Sequence, residues 1–250
     1  MLDSLVVDGL AVPRSQPRAG FVLEMLGGFR LSGDRDEVVL PTGVQRLVAL
    51  VALRGRVSRS RLAGTLWPDA TEDRAMASLR TSLWRVNRVA GRVIACTGGT
   101  VGLGVDVDVD VSRVVRDARA ALRAGSSTSV GDIVETMTDI GELLPDWEDE
   151  WLIADRERLR QMRLHVLEVA AERLAQSGQH GLALEAAMAA LRIDMLRESA
   201  HRIVIRIHMG EGNVAEARRA YDRCHQLLVQ DLGLEPTAAT TKILTPSSDQ

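Results

Sequence analysis

The stretch Arg74-Ala-Met-Ala-Ser-Leu-Arg-Thr-Ser-Leu-Trp-Arg-Val-Asn-Arg-Val-Ala90 decides how this chain is read. Its apolar residues run Met76, Leu79, Leu83, Val86, Ala90, and its polar and basic residues run Arg74, Ser78, Thr81, Arg85, Arg88. Each series advances by three or four residues, the step that keeps side chains on one helical face. At about 100° per residue the two series fall on nearly opposite sides. One side can bury itself, and the other offers guanidinium groups and small hydroxyls. No acidic residue interrupts the run from Arg74 to Ala90. Such a face suits a negatively charged groove, and duplex DNA is the leading candidate.

The flanking sequence gives the helix a context. Upstream, Phe21–Leu26, Phe29–Ser32 and Val38–Leu40 are short β-type runs broken by Gly27-Gly28 and Gly33-Asp34, which predicts a small antiparallel sheet. Pro41-Thr42 then starts an apolar helix, Val44 to about Leu53, that Gly55 ends. Ser58 is a good N-cap for a short helix over Arg59–Leu66, closed by Trp67-Pro68. Downstream of Gly91, Val93–Thr97, Gly98-Gly99 and Thr100–Leu103 predict a β-hairpin. Gly99, Gly102 and Gly104 superficially suggest a nucleotide loop, but no Lys-Ser or Lys-Thr follows and no strand–loop–helix surrounds them. Strands, three helices and a hairpin make a winged helix-turn-helix, whose third helix enters the major groove while the hairpin touches the backbone beside it.

Composition narrows the partners. Aromatic residues are 3% of the 250, which disfavours single-strand or RNA readers that stack exposed bases. The net charge of −3 hides an asymmetry: residues 1–104 carry fourteen arginines against nine acids, and the rest is acidic. A basic front and an acidic back suggest two jobs. Lys242 is the only lysine, and arginine is the side chain suited to bidentate contact with phosphate and guanine. Two cysteines, Cys96 and Cys224, form neither a disulfide framework nor a metal signature. The apolar runs are too short to span a bilayer, and the N-terminus lacks a secretion signal, so the expected location is cytoplasmic, at the nucleoid.

Beyond the hairpin, Asp106, Asp108 and Asp110 alternate with valine. The Gly and terminal Glu of a calcium loop are missing, so a solvated strand or the start of the helix that runs to about Ala124 is expected. Gly125–Ser129 reads as a linker. From Glu148 the pattern is helical almost to the end, and it repeats. Gly178 and Gly212 are 34 residues apart, and the same offset relates Ala183 to Ala217, Ala187 to Tyr221 and Ala190 to Cys224. A period of 34 is that of the tetratricopeptide helix pair, with small residues where two helices cross. Two copies are visible, about Leu167–Leu191 and Glu198–Leu228, with Met195 where that repeat usually has proline. Asp231–Pro236 is a Gly-capped stop. The expected organisation is therefore a flexible leader over 1–20, a winged helix-turn-helix over 21–105, an all-α tetratricopeptide-like repeat domain over 106–236 and a flexible tail over 237–250. The fold class is mainly α with a small β component.

Several motifs carry a family resemblance. Leu66-Trp67-Pro68 followed by the arginine-rich helix resembles the OmpR-like winged-helix domain. Glu142-Leu-Leu-Pro-Asp-Trp147 with Trp151, then Glu157-Arg-Leu-Arg160, resembles the start of the bacterial transcriptional activator domain. Leu196-Arg-Glu-Ser-Ala200, Glu211-Gly-Asn213 and Leu232-Gly-Leu-Glu-Pro236 match its later blocks. Together, over about Phe21–Pro236, they resemble the Streptomyces antibiotic regulatory protein family. The resemblance implies a transcriptional activator of a secondary-metabolite gene cluster. Such a protein binds direct repeats in double-stranded promoter DNA and recruits RNA polymerase holoenzyme; separately, the repeat helices offer a groove for protein contact or for self-association with a second copy on DNA. Larger relatives add a nucleotide-hydrolysing domain; this chain has no Walker motif.

The candidate DNA contacts are Arg74, Ser78, Thr81, Arg85 and Arg88 in the stripe and Arg80 on its flank as a phosphate contact. Arg59, at the start of the second helix, and Thr100, on the wing, are further candidates. Arginine can take guanine O6 and N7 together, and Ser or Thr can meet a base edge or a thymine methyl. The plain alternative is that some of them only solvate the surface. Trp67 is expected to be a packing anchor between helices; Trp84 lies between the two stripes, where it can touch either core or backbone, and core is the favoured reading for both. The five histidines, His201 and His208 among them, lack the cysteine partners or third ligand of a metal site. No catalytic motif is present, so neither an enzyme nor a cofactor is expected. The competing class is a repeat scaffold whose winged helix contacts protein.

Overall fold

The computed structural model describes residues 20–33, 36–123 and 130–244. These fall into two compact units: the chain up to Leu23 together with Arg30–Asp108, and Glu24–Phe29 together with Val109 onward. The expected leader lies almost wholly outside the described residues, as does the Gly125–Ser129 linker.

In the first unit, β1 (Phe21–Glu24), β2 (Arg30–Ser32) and β6 (Val107–Val109) form one sheet in the order β2-β1-β6. Val38–Leu40 is not its third strand. Glu37 just before it bridges to Ser32 and the Val38 N–H donates to Leu31 O at 2.8 Å, but the run forms no strand of its own, and β6 takes the place. The alternating Val-Asp segment was therefore the missing strand. Between these strands come α1 (Thr42–Arg54), β3 (Val57–Ser58), α2 (Arg59–Leu66) and α3 (Glu72–Ala90), then β4 (Ile94–Thr97) and β5 (Thr100–Leu103). The second sheet has the order β3-β5-β4, with Val57 opposite Val101 and Thr97 opposite Thr100.

Local chemistry explains these elements. Gly55 ends α1 at φ 72°, a conformation that costs a β-carbon strain. Ser58 Oγ accepts from the Arg61 N–H at 3.4 Å, capping α2 as expected. The hairpin turns on Gly98 and Gly99 at φ 58° and 78°, the pair of positive values that a two-residue I′ turn requires. The Arg59 N–H donates to Gly99 O at 3.3 Å, tying the hairpin tip to the start of α2. Leu47, Val48, Leu62, Leu79, Val86, Val93 and Val101 are fully buried and make an aliphatic core beneath α3.

The second unit contains α4 (Asp110–Leu122), α5 (Val130–Asp139), α6 (Glu150–Gln176), α7 (His180–Ile193), α8 (Glu198–Gly210), α9 (Val214–Leu232) and α10 (Ala238–Thr241). The 34-residue period appears as identical hydrogen bonding. The Gln179 N–H donates to Leu174 O at 2.9 Å, and the Asn213 N–H donates to His208 O at 2.8 Å. Gly178 and Gly212 have φ 77° and 74°. Ala183, Ala187, Ala190, Ala217 and Cys224 are fully buried where α7 and α9 cross their partners. Long neighbouring side chains can then mesh over a close backbone approach.

Two expectations change in this unit. Residues 237–244 do not fray: Glu198 Oε1 accepts from the Thr237 N–H at 2.8 Å, from the Thr237 hydroxyl at 2.6 Å and from the Thr240 hydroxyl, and Thr240 is fully buried. Glu198 thereby satisfies the open N-terminus of α10. The segment Glu24–Phe29, expected to stay with the winged domain, packs on the repeat unit instead. The Gly27 N–H donates to Glu142 O at 2.7 Å, the Leu144 N–H donates to Met25 O at 2.8 Å, and Phe29 stacks on Trp147 at 5.9 Å. Asp110 is part of this attachment rather than a solvated carboxylate, because its Oδ2 accepts from the Met25 and Leu26 N–H groups at 2.8 and 2.9 Å.

Candidate nucleic-acid interface

The buried side of α3 comprises Ala75, Leu79, Ser82, Leu83, Val86 and Ala90. Met76, expected in the apolar stripe, is only half-buried. Glu72 and Asp73 occupy the first turn and Arg88 the last, so both ends suit the helix dipole. The opposite side is exposed and carries Arg74, Thr81, Arg85 and Arg88, with Arg80 exposed on the flank. Arg74 and Arg88 are fourteen residues apart, about 21 Å along the axis at 1.5 Å per residue. Among the described residues, Arg74, Arg80 and Arg85 have no ion pair or hydrogen-bonded side-chain partner, so their charge faces water. The first unit thus presents a row of guanidinium groups on one rigid helix.

The other candidates divide. Ser78 is half-buried at the edge of the face. The Thr81 hydroxyl donates to Ala77 O at 3.1 Å, which leaves its methyl and oxygen lone pairs for a partner. Arg59 is exposed at the start of α2. Thr100 is half-buried and committed within the wing: its hydroxyl donates to Thr97 O at 2.7 Å and accepts from Arg56 Nη1 at 3.4 Å.

Trp84 overturns an expectation. It is 59% exposed, not a core residue, and Arg88 Cζ lies 5.3 Å from its ring centroid. This is cation–π geometry, and it holds the Arg88 side chain against the helix. The signal was present in the sequence: Trp84 follows Thr81 by three residues and precedes Arg88 by four, so it shares their face. Trp67, by contrast, is half-buried at the end of α2.

In the repeat unit the motif residues turn out to be clamps. Arg156 donates to the carbonyls of Leu143 at 2.8 Å, Trp147 at 2.7 Å and Leu144. It thereby fixes the Leu-Leu-Pro-Asp-Trp loop, in which Leu144 is held at φ 46°. Glu168, 8% exposed, accepts from Arg197 Nε and Nη2 at 2.9 and 3.0 Å and from the Ser199 hydroxyl. Burial alone pushes the Glu168 pKa up, but the Arg197 and Ser199 bonds outweigh it and leave the carboxyl below its ordinary value. His201 Nε2–H donates to Met195 O, 2.9 Å away, and burial lowers its pKa. Among the described residues no three His, Cys, Asp or Glu side chains gather in a way that could hold a metal. No described helix is long and apolar enough to cross a membrane.

A winged helix-turn-helix joined in one chain to a tetratricopeptide-like helical unit defines the class: a mainly α architecture with a small β component. Residues 105–245 match the bacterial transcriptional activator domain, and the chain belongs to that family. It is 28% identical over 215 residues to the regulatory protein AfsR of Streptomyces coelicolor and 26% identical over 221 residues to AfsR of Streptomyces griseus. These matches cover 81% and 80% of this chain but 22% of each relative, so the chain spans about a fifth of their length. Among solved structures it is similar to Mycobacterium tuberculosis EmbR in complex with a low-affinity phosphopeptide. The TM-score is 0.75 at 17% identity, covering 90% of this chain and 64% of that one, a likeness of fold. The resemblance to the Streptomyces antibiotic regulatory proteins read from the sequence holds.

Proposed function

We propose that the chain activates transcription by placing α3 in the major groove of promoter DNA while the β4–β5 hairpin lies on the neighbouring backbone. The observation that carries this reading is the row of arginines on the exposed face of α3 without carboxylate partners among the described residues. Arg74, Arg85 and Arg88 supply phosphate and guanine contacts, Arg80 and Arg59 hold phosphates, and Ser78 and Thr81 meet base edges. Thr100 shapes the wing more than it reads DNA. The repeat unit offers helical faces to RNA polymerase holoenzyme and to a second copy. Direct-repeat sites go with head-to-tail protomers, and a closed two-fold dimer goes with a palindrome. A secondary-metabolite gene cluster, read in the cytoplasm at the nucleoid, is the expected target.

Exposure of Trp84 beside Arg88 favours a second reading, because an aromatic residue paired with arginine is also the chemistry of a protein–protein hot spot. Genome-wide occupancy mapping followed by a hydroxyl-radical footprint on the top site separates the two. The DNA reading expects promoter enrichment and a footprint on one face of the duplex with direct-repeat spacing. Absence of enrichment at any promoter supports the scaffold reading instead.

A further inference from the structure

The repeat unit contains a cavity of about 590 Å³ bounded by the end of α5, the segment after it, α6 and α7. That volume is within the range of sites that enclose small organic ligands, about 300–1,000 Å³. Four arginines line it, Arg156, Arg160, Arg163 and Arg192, against two glutamates, Glu142 and Glu157.

The arginines are not neutralised in equal measure. Arg160 is paired, to Glu157 at 2.9 Å and to Asp194 at 3.1 Å. Arg156 and Arg163 spend Nε and Nη2 on backbone carbonyls, those of Leu143, Leu144 and Trp147 for the first and of Met137 and Thr138 for the second. A carbonyl accepts the hydrogen bond but leaves the positive charge in place. Among the described residues neither has a carboxylate within ion-pair distance, and Arg192 has no hydrogen-bond or ion-pair partner. Arg163 is half-buried, and burial and the charge of Arg192 work against its protonated form more than the charges of Glu142 and Asp139 support it. A cavity wall that gathers like charges in this way is complete when an anion joins them.

The remainder of the wall is apolar. Leu143 and Leu159 are buried, Ile193 is half-buried, and Ile153 is left 64% exposed. An inorganic ion would use the arginines and leave this surface wet. We infer that the cavity binds a small amphipathic organic anion, with a carboxylate or phosphate head on Arg163 and Arg192 and an apolar body against Leu143, Ile153 and Ile193. All of the lining residues belong to the repeat unit, and none is a candidate DNA contact.

Isothermal titration of the full chain tests it with octyl phosphate, octanoate, inorganic phosphate and 1-octanol. Saturable one-to-one binding is expected for octyl phosphate or octanoate, at least tenfold tighter than for inorganic phosphate, with no binding of 1-octanol. The tighter of the two amphiphiles identifies the head group. Arg192→Glu, a change at an exposed side chain, is expected to weaken binding at least tenfold with the circular dichroism spectrum unchanged. Ile153→Asp, also exposed, gives a second variant with the same expected loss. Absence of saturable binding by both amphiphiles overturns the inference. So does inorganic phosphate binding as tightly as they do, or undiminished binding in both variants. Promoter-DNA retardation measured on the same samples reports on α3 separately, so failure of one reading is distinguishable from failure of the other.

Discussion

Replacing Arg197 with alanine isolates the interaction that joins α6 to the start of α8. Arg197 holds Glu168 through two bonds of 2.9 and 3.0 Å and reaches Gln161 at 3.2 Å. Arg197→Ala leaves the Glu168 carboxylate, 8% exposed, with only the Ser199 hydroxyl. Breaking a buried pair from one side costs about 3–5 kcal/mol. The Arg197 side chain is 27% exposed, so water enters the vacated space and a cost at or just below the bottom of that range, about 2–3 kcal/mol, is expected. The sign with pH follows from the protons. In the wild type the folded Glu168 pKa is depressed. Its contribution is therefore full above the unfolded value of about 4.3 and is lost as pH falls through the folded value. In the variant, burial is opposed only by the Ser199 hydroxyl and the His165 charge, so the folded pKa moves up and protonation relieves the defect as pH falls. Urea denaturation followed by helical circular dichroism at pH 7 and pH 5 should show a smaller defect at pH 5. Adding Glu168→Gln should recover at least about 1 kcal/mol at pH 7, as coupled neighbours do. A loss under about 0.5 kcal/mol at pH 7, or an equal loss at both pH values, would refute the reasoning.

Three other outcomes are expected. Burial lowers the His201 pKa, so the unfolded chain takes up that proton first. Stability is then full above about pH 6.5 and falls toward lower pH by up to about 1.4 kcal/mol per unit, and His201→Gln should remove that part of the slope in thermal melts. Gly104→Ala would place a β-carbon 1.9 Å from Arg92 O at the base of the hairpin. A cost of about 3 kcal/mol or more is expected, with DNA retardation lost and most helical signal of the repeat unit kept; wild-type stability in a denaturant series would contradict the close approach. Trp84→Ala should change stability by less than about 0.5 kcal/mol because the ring is exposed. It should still weaken DNA retardation several-fold by freeing Arg88, and unaltered retardation would remove Trp84 from the interface.

Features set by local sequence were the legible ones. The helical period exposed both faces of α3, and the 34-residue recurrence located turns whose hydrogen bonds prove identical. Ser58 capping α2 and Gly98-Gly99 turning the hairpin are decided within a few residues of themselves. What escaped was built from distant segments. Strand β6 has three residues and pairs with a partner more than eighty positions earlier, so its Val-Asp alternation suggested a strand or helix start but not the sheet it joins. Asp110 looked like a surface carboxylate because its partners, the N–H groups of Met25 and Leu26, are as far away in the chain. The anchoring of 237–244 depends on Glu198, and nothing in the Thr-rich segment itself encodes that partner. Trp84 was misread for another reason: it lies between the two stripes, and the prior that aromatic residues are buried decided the position in favour of the core.

The central claim is that the arginine face of α3 carries DNA binding. Its most direct test is the affinity of the wild type and of the Arg74→Ala, Arg85→Ala, Arg88→Ala triple variant for the footprinted promoter site across a salt series. Each lost phosphate contact should make the logarithmic salt slope shallower by about 0.9, and each lost base contact should cost about 1–3 kcal/mol of specific binding. The triple variant should keep its circular dichroism spectrum, lose at least about a hundredfold in affinity at low salt and have a slope shallower by about one to three. An unchanged affinity together with an unchanged slope would contradict the claim.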